Sequence, residues 1–294
     1  MKATFISDEF SQDFARCVDF ARARGLDAIE LRSVEGCAIE AAEDATIRRI
    51  DALARRRDIA ICGLATFCFK HDYDPISIRQ SLDRLDRTVD TACRLGAPWV
   101  RIFAFWRRDG LAPAAIRDAV LDAWAVIGTR PVRLLVENGA FSTVGTGSAL
   151  AALLDAVDQP EIGALWDPAN VLNGGWPEDI DEGYRHLDRH VAHIHVKNPH
   201  GGPSGAMRFG PLATGLIDWQ RHIRLCRDGG FDGYMSLETH WRATADLAGR
   251  EQLDFPGGHA FSEGGEAATF LSLTELTGMI TAATAPSNEA VVHD

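Results

Sequence analysis

Basic charge is scarce in this chain: 30 lysines and arginines face 42 aspartates and glutamates over 294 residues, a formal net charge of −12. That argues against a nucleic-acid partner, because affinity for a phosphate backbone comes largely from clustered Lys and Arg. The acidic surplus is read as a solubility device. Cysteine pairs are missing too. The six cysteines, at 17, 37, 62, 68, 93 and 226, include no CxxC spacing, and several sit inside apolar patterns. They are expected to be small buried hydrophobes in a reducing compartment. No apolar run approaches the roughly 20 residues of a membrane span. Met1 leads into the strand-like ATFIS without a basic leader. The expectation is a cytoplasmic protein with no membrane partner.

What the chain does have is apolar content, 46% of its residues, which at this length suits one barrel or two smaller domains. Short apolar runs alternate with amphipathic stretches. Strands are expected at Ala3–Ile6, Ala28–Leu31, Ile59–Leu64 and Trp99–Phe103, then at Val132–Val136, Ile162–Trp166, Val191–Val196 and Tyr234–Leu237. Helices are expected over 12–24, 44–57, 76–95, 147–157, 178–189, 217–227 and 263–280. The third carries an apolar stripe through Ile78, Leu82, Leu85, Val89 and Cys93 and stops at Gly96. Eight alternations with no break in composition predict an α/β fold, a single closed (β/α)8 barrel over residues 1–282, with a doubly wound open sheet as the runner-up. Two segments interrupt the rhythm: 198–216, rich in Gly and Pro and expected to be a long loop, and 242–262. Both are expected to cover a site or to pair two copies into a homo-oligomer. Residues 283–294 lack a core pattern and are expected to form a flexible tail.

Four strand-like runs each end in a potential metal ligand: LLVEN at Glu137, ALWDP at Asp167, HIHVK at His195 and MSLET at Glu238. In a parallel barrel all strands point one way, so these residues converge at the C-terminal rim, where barrel enzymes do chemistry. Three carboxylates and an imidazole form an oxygen-rich set suited to one Mn²⁺ or Mg²⁺ ion, with Co²⁺ or Zn²⁺ as alternatives. Alone, each residue reads as a cap, an ion-pair partner or a hydrogen-bonded structural group. Four on successive strands read as a metal site.

The phrases VEN, WDPAN, HIHVKN and PLATGLIDW followed by GFDGYMSLE resemble the xylose-isomerase-like TIM-barrel superfamily, over residues 3 to 280. Its members include sugar-phosphate isomerases and epimerases, keto-sugar 3-epimerases, inosose isomerase and dehydratase relatives, 3-dehydroshikimate dehydratases and endonuclease IV. The resemblance implies that Glu137, Asp167, His195 and Glu238 hold one divalent metal. It also implies that Glu137 and Glu238 move a proton on and off the carbon beside a substrate carbonyl, through an enediolate that the metal stabilises.

Around them, Asn170, Lys197, Arg101, Arg208 and His71 are candidate substrate-binding residues, and His240 is a weaker one. For Arg101 the competing reading is a layer-filling ion pair with a barrel carboxylate such as Glu30. Trp106, Trp166 and Trp241 could pack on a sugar ring or simply fill space. Two departures narrow the function. Dehydratase-like relatives carry a histidine two residues after the strand-five glutamate, where this chain has Gly139. Endonuclease IV needs histidines on earlier strands, and here strands two to four end IELR, GLAT and IFAF. The resemblance therefore implies an isomerase or epimerase of a small keto sugar, sugar phosphate or cyclitol ketone. A metal-dependent dehydratase and a non-catalytic sugar-binding barrel are the alternatives.

Overall fold

A computed structural model of the protein describes residues 1–201, 207–243, 247 and 255–285. Eight strands lie parallel: β1 Lys2–Phe5, β2 Ala28–Leu31, β3 Ala60–Leu64, β4 Trp99–Ile102, β5 Arg133–Glu137, β6 Ile162–Trp166, β7 Val191–Val196 and β8 Tyr234–Leu237. From β2 to β8 each is paired with the next, and β8 pairs with β1. The ring closes between β1 and β2 through a parallel bridge from Ile6 to Glu30 and a 2.7 Å bond from the Thr4 hydroxyl to the Ala28 carbonyl. The sheet is a closed barrel, not an open doubly wound one.

Strands covered on both faces read as short continuous apolar runs rather than alternations, and β2 and β6 are buried at every position. The surrounding helices have local start and stop signals. In Pro75–Leu95 the Asp74 carboxylate caps the amides of Ile76 and Ser77, proline opens the first turn, and Gly96 ends the helix at φ 68°. Its buried stripe runs through Leu85, Val89 and Ala92, whereas Cys93 is exposed. The short helices Ser7–Phe10, Pro168–Asn173 and Gly258–Ser262 were not expected, nor was the longer Pro113–Ile127, which connects β4 to β5 and buries a stripe of Ile116, Ala119, Val120, Ala123 and Ile127.

Inside the barrel, below the rim, Trp99 lies across Gly63, where a Cβ would come within 2.1 Å of the indole. Only glycine admits the ring there. Trp99 in turn packs on His193 with ring centroids 4.6 Å apart, so this floor layer supports the polar groups above it.

The segment after β7 is not irregular throughout, as expected for 198–216. Asn198–Gly201 and Met207–Gly210 pair antiparallel, and Asn198 closes the base of the excursion by bonding Leu212 and Ile217. In the second excursion Phe255 sits against Phe67 and Trp106 on the rim. The helix Gly258–Ser262 is tied down by bonds from the Gly258 amide to Ser33 and from the Ser262 hydroxyl to the Asp8 carbonyl. The final helix, Gly265–Thr284, runs four residues past its expected end at 280, into the expected tail, and buries Ala283. The rest of the expected tail, from 286, lies outside the described residues. Among the described residues no helix is long and apolar enough to cross a membrane.

Candidate metal centre

The four strand-end residues meet. Glu137 ends β5, Asp167 follows β6, His195 is the penultimate residue of β7 and Glu238 follows β8, and all four are buried. One donor atom from each lies within 4.8 Å of the others. Parallel register accounts for the convergence: Glu137 pairs with Leu165 and Leu237 with Val196, so the strand ends come level at one rim. Asp167 also caps the helix Pro168–Asn173, and Asn138 clips it from both sides, donating to its carbonyl and accepting from its amide at 2.8 Å each.

His195 is held by a carboxylate from the far side of the barrel. Glu30 Oε1 lies 2.9 Å from His195 Nε2, and Glu30 Oε2 lies 2.9 Å from His193 Nε2. Burial opposes ionisation of Glu30, yet the two imidazoles hold its carboxyl well below the usual range. His195 Nδ1 is then left buried without a partner, 3.7 Å from Glu238 and 4.0 Å from Glu137. A carboxylate on one ring nitrogen fixes the tautomer and leaves the other nitrogen's lone pair for a metal. Glu30→Gln is therefore expected to weaken divalent-metal binding about 10–100-fold, measured by competition with a chromophoric chelator. Unchanged affinity would show that Glu30 does not orient the ligand.

Fixed charges surround this point. Arg101 donates to Glu137 at 2.7 Å and to the carbonyls of Ala65 and Thr66, and Asn170 donates to the other Glu137 oxygen at 2.9 Å. Lys197 bonds Asp167 at 2.5 Å and also Glu238. Arg32, wholly buried, spans Asp8, Glu9 and Glu238, with Arg242 on Glu9 at 3.5 Å. This buried network holds six carboxylates (Asp8, Glu9, Glu30, Glu137, Asp167 and Glu238) against four cations (Arg32, Arg101, Lys197 and Arg242). With all six ionised, two negative charges are left over; burial pushes the Asp8 and Asp167 carboxyls up, so a cation here would also favour their ionised forms. A buried charge is costly unless it is matched, and one divalent cation among these oxygen donors and the His195 nitrogen matches them. The donor set and the unpartnered Nδ1 both fit such an ion. Burial pushes the Asp167 carboxyl up to about 6 even with Lys197 beside it.

Several expectations need correction or placement. Arg101 pairs with Glu137, not with Glu30, whose carboxylate serves the two histidines. Asn170 and Lys197 do reach the centre. His71 does not join it: its ring nitrogens meet the Asp72 carbonyl and the Ser81 hydroxyl. Arg208 lies on the hairpin, exposed, while its strand neighbour Phe209 packs over His240 and Lys197. Trp166 is buried and bonds His222, and Trp241 bonds Ser272, so both are packing residues. Trp106 remains at the rim against Phe255. Asp8, Glu9, Arg32, His193 and Arg242 were not anticipated. The one available signal was the alternation of Glu30 and Arg32, which places both on the inner face of the β2 run.

Together these features define a parallel barrel with a four-residue donor set for a divalent metal at its C-terminal rim. The chain belongs to the Xylose isomerase-like TIM barrel family, which it matches over residues 18–256. No curated protein matches it. Among solved structures it is similar to the IolI protein with a bound zinc atom, at 15% identity and TM-score 0.77, covering 97% of this chain and all of that one. It is also similar to D-allulose 3-epimerase from Methylomonas sp. in complex with D-allulose, at 15% identity and TM-score 0.72, covering 95% and 96%. A third is the probable 3-DHS dehydratase AsbF from Bacillus anthracis, at 18% identity and TM-score 0.69, covering 94% and 99%. At such identities the likeness establishes the fold.

Proposed function

We propose that this protein is a divalent-metal-dependent isomerase or epimerase of a small keto sugar, sugar phosphate or cyclitol ketone. The observation that carries the reading is the pair of glutamates, Glu137 and Glu238, within 4.0 Å of the unpartnered His195 Nδ1, each held by its own buried arginine. Glu137, Asp167, His195 and Glu238 would hold the cation. Mn²⁺ or Mg²⁺ suits the oxygen donors, and Co²⁺ or Zn²⁺ suits the imidazole. When bound, the ion supplies Lewis acidity, which makes a proton on the carbon beside a carbonyl easier to remove.

The remaining chemistry falls to side chains of the barrel. A carboxylate that accepts a proton from carbon must be ionised near neutral pH. Burial opposes this at Glu238, but the charges facing it, Lys197 first, hold its carboxyl well below the usual range. Arg101 and Asn170 each take one oxygen of Glu137, which fixes the plane of that carboxylate. One glutamate then accepts the proton and the other returns one. Lys197 and Asn170 both reach the ligands and are the candidate donors to a substrate oxygen. A dehydratase that relies on a histidine two residues after Glu137 is disfavoured, because the chain has Gly139 there and a Cβ would already crowd Ser142 at 3.0 Å and the Phe103 ring at 3.3 Å.

The test is a metal-supplemented screen of keto sugars and cyclitol ketones in D₂O, read by mass. D-allulose comes first because it is bound in one of the structural neighbours. Deuterium gained without loss of water is the expected result. Loss of one water would transfer the assignment to the lyase, and metal binding with no exchange on any ketone would leave a sugar-binding barrel.

A further inference from the structure

The proton transfer above leaves one buried rim side chain unused. His240 stands two residues beyond Glu238, is 5% exposed, and has no hydrogen-bond partner on either ring nitrogen. Its backbone lies at φ 50°, in the left-handed region that residues with a Cβ rarely enter. Strain of this kind persists only where the surroundings enforce it, and a buried polar group without a partner calls for an explanation. The surroundings are clear. The His240 amide donates to Glu9, the hairpin's Phe209 lies 5.4 Å from the imidazole, and Phe261 of the helix Gly258–Ser262 lies 5.7 Å away. The imidazole is fixed in place with Nδ1 3.7 Å from Glu238 and 3.8 Å from Glu9, too far for hydrogen bonds.

Two kinds of occupant fit an imidazole held beside two carboxylates. A second cation is the first, since Glu9, Glu238 and His240 lie close enough to share one. Fixed charge argues against it: Glu9 already faces Arg32 and Arg242, and Glu238 already faces Arg32 and Lys197. A further divalent ion would sit among three buried cations. A hydroxyl group has no such cost. A neutral imidazole offers one donor and one acceptor, and a hydroxyl can answer either. The Phe209 and Phe261 rings beside it suit the C–H faces of a polyol.

We infer that His240 is a substrate-binding residue, whose imidazole holds a hydroxyl of a polyhydroxylated substrate close to the carbon from which Glu238 takes its proton. The inference rests on the proposed isomerase site and specifies its substrate as a polyol-bearing ketone.

The test uses the full chain loaded with Mn²⁺, with xylitol and D-allulose as probes and ligand binding read from Mn²⁺-induced broadening of the probe protons. His240→Ala is expected to weaken binding of the probes about 10-fold or more, the scale of a lost buried hydrogen bond, while Mn²⁺ affinity stays within twofold. His240→Asn, which keeps a donor and an acceptor, is expected to recover part of the loss. A second measurement needs no variant: in Mg²⁺-loaded wild type, the His240 imidazole ¹⁵N resonances are expected to shift on addition of xylitol or D-allulose. Equal binding by wild type and both variants, together with unmoved resonances, would overturn the inference, as would a parallel loss of Mn²⁺ affinity. Probe binding by wild type without deuterium exchange on any ketone would instead count against the isomerase reading and leave the binding role of His240 standing.

Discussion

Glu238→Gln and Glu137→Gln are each expected to lower isomerisation about 10²–10⁴-fold, the usual worth of a positioned acid or base. Glutamine keeps the shape of the side chain and one oxygen for a metal or a donor, but it cannot accept a proton from carbon. The two variants should fail differently. If one glutamate takes the proton and the other returns it, each variant still has one working base. Each should then exchange deuterium into one of the two interconverting ketones while forming little of the other. Measuring exchange and product separately on both ketones, at saturating Mn²⁺, checks this. Full turnover in either variant would remove that glutamate from the mechanism, and loss of exchange from both ketones in one variant with exchange from both retained in the other would point to a single base.

The second large effect concerns stability. Arg32→Met is expected to destabilise the fold by about 3–5 kcal/mol, because removing one partner of a buried ion pair leaves the others uncompensated. Here one guanidinium serves three buried carboxylates, Asp8, Glu9 and Glu238. Burial disfavours charge on Glu9, yet His240, Arg32 and Arg242 bring its carboxyl down to about 2, so Arg32 is part of what keeps it ionised. Urea unfolding of the metal-free protein measures the loss. The same variant should gain more stability than wild type from saturating divalent metal, since the ion then offsets part of a larger excess of negative charge. An unchanged midpoint would mean that the carboxylates are protonated in the folded protein and that the charge count for the metal site is wrong.

Much of this architecture could be read along the chain. Barrel strands are buried on both faces, so they appear as short apolar runs, and all eight expected runs end within one residue of the observed strand at both ends, as with Val191–Val196. The helix Pro113–Ile127 escaped because alanine supplies much of its buried stripe, which weakens the periodic signal. The hairpin of Asn198–Gly201 with Met207–Gly210 escaped because glycine and proline mark its segment as loop. Bonds from Asn198 to Leu212 and Ile217, far along the chain, stabilise it instead. The four candidate metal ligands were legible because each stands at a strand end, and parallel strands bring their ends together whatever the spacing between them.

Partner choice was not legible. Arg101, Glu30 and Glu137 all point into the barrel, and alternation by itself allows either ion pair. The register puts Arg101 beside Leu135, within reach of Glu137, while Glu30 faces the histidines of β7. By itself the sequence determined the fold and the four donors at the rim, because the pleat of a strand and the burial of its faces are local properties. The tertiary structure alone decided which nitrogen of His195 is left open, that six buried carboxylates outnumber four cations by two, and that His240 lacks a partner. Each of these depends on atoms brought together from opposite sides of a closed ring, and hydrogen bonding and charge balance act through distance in space, not along the chain.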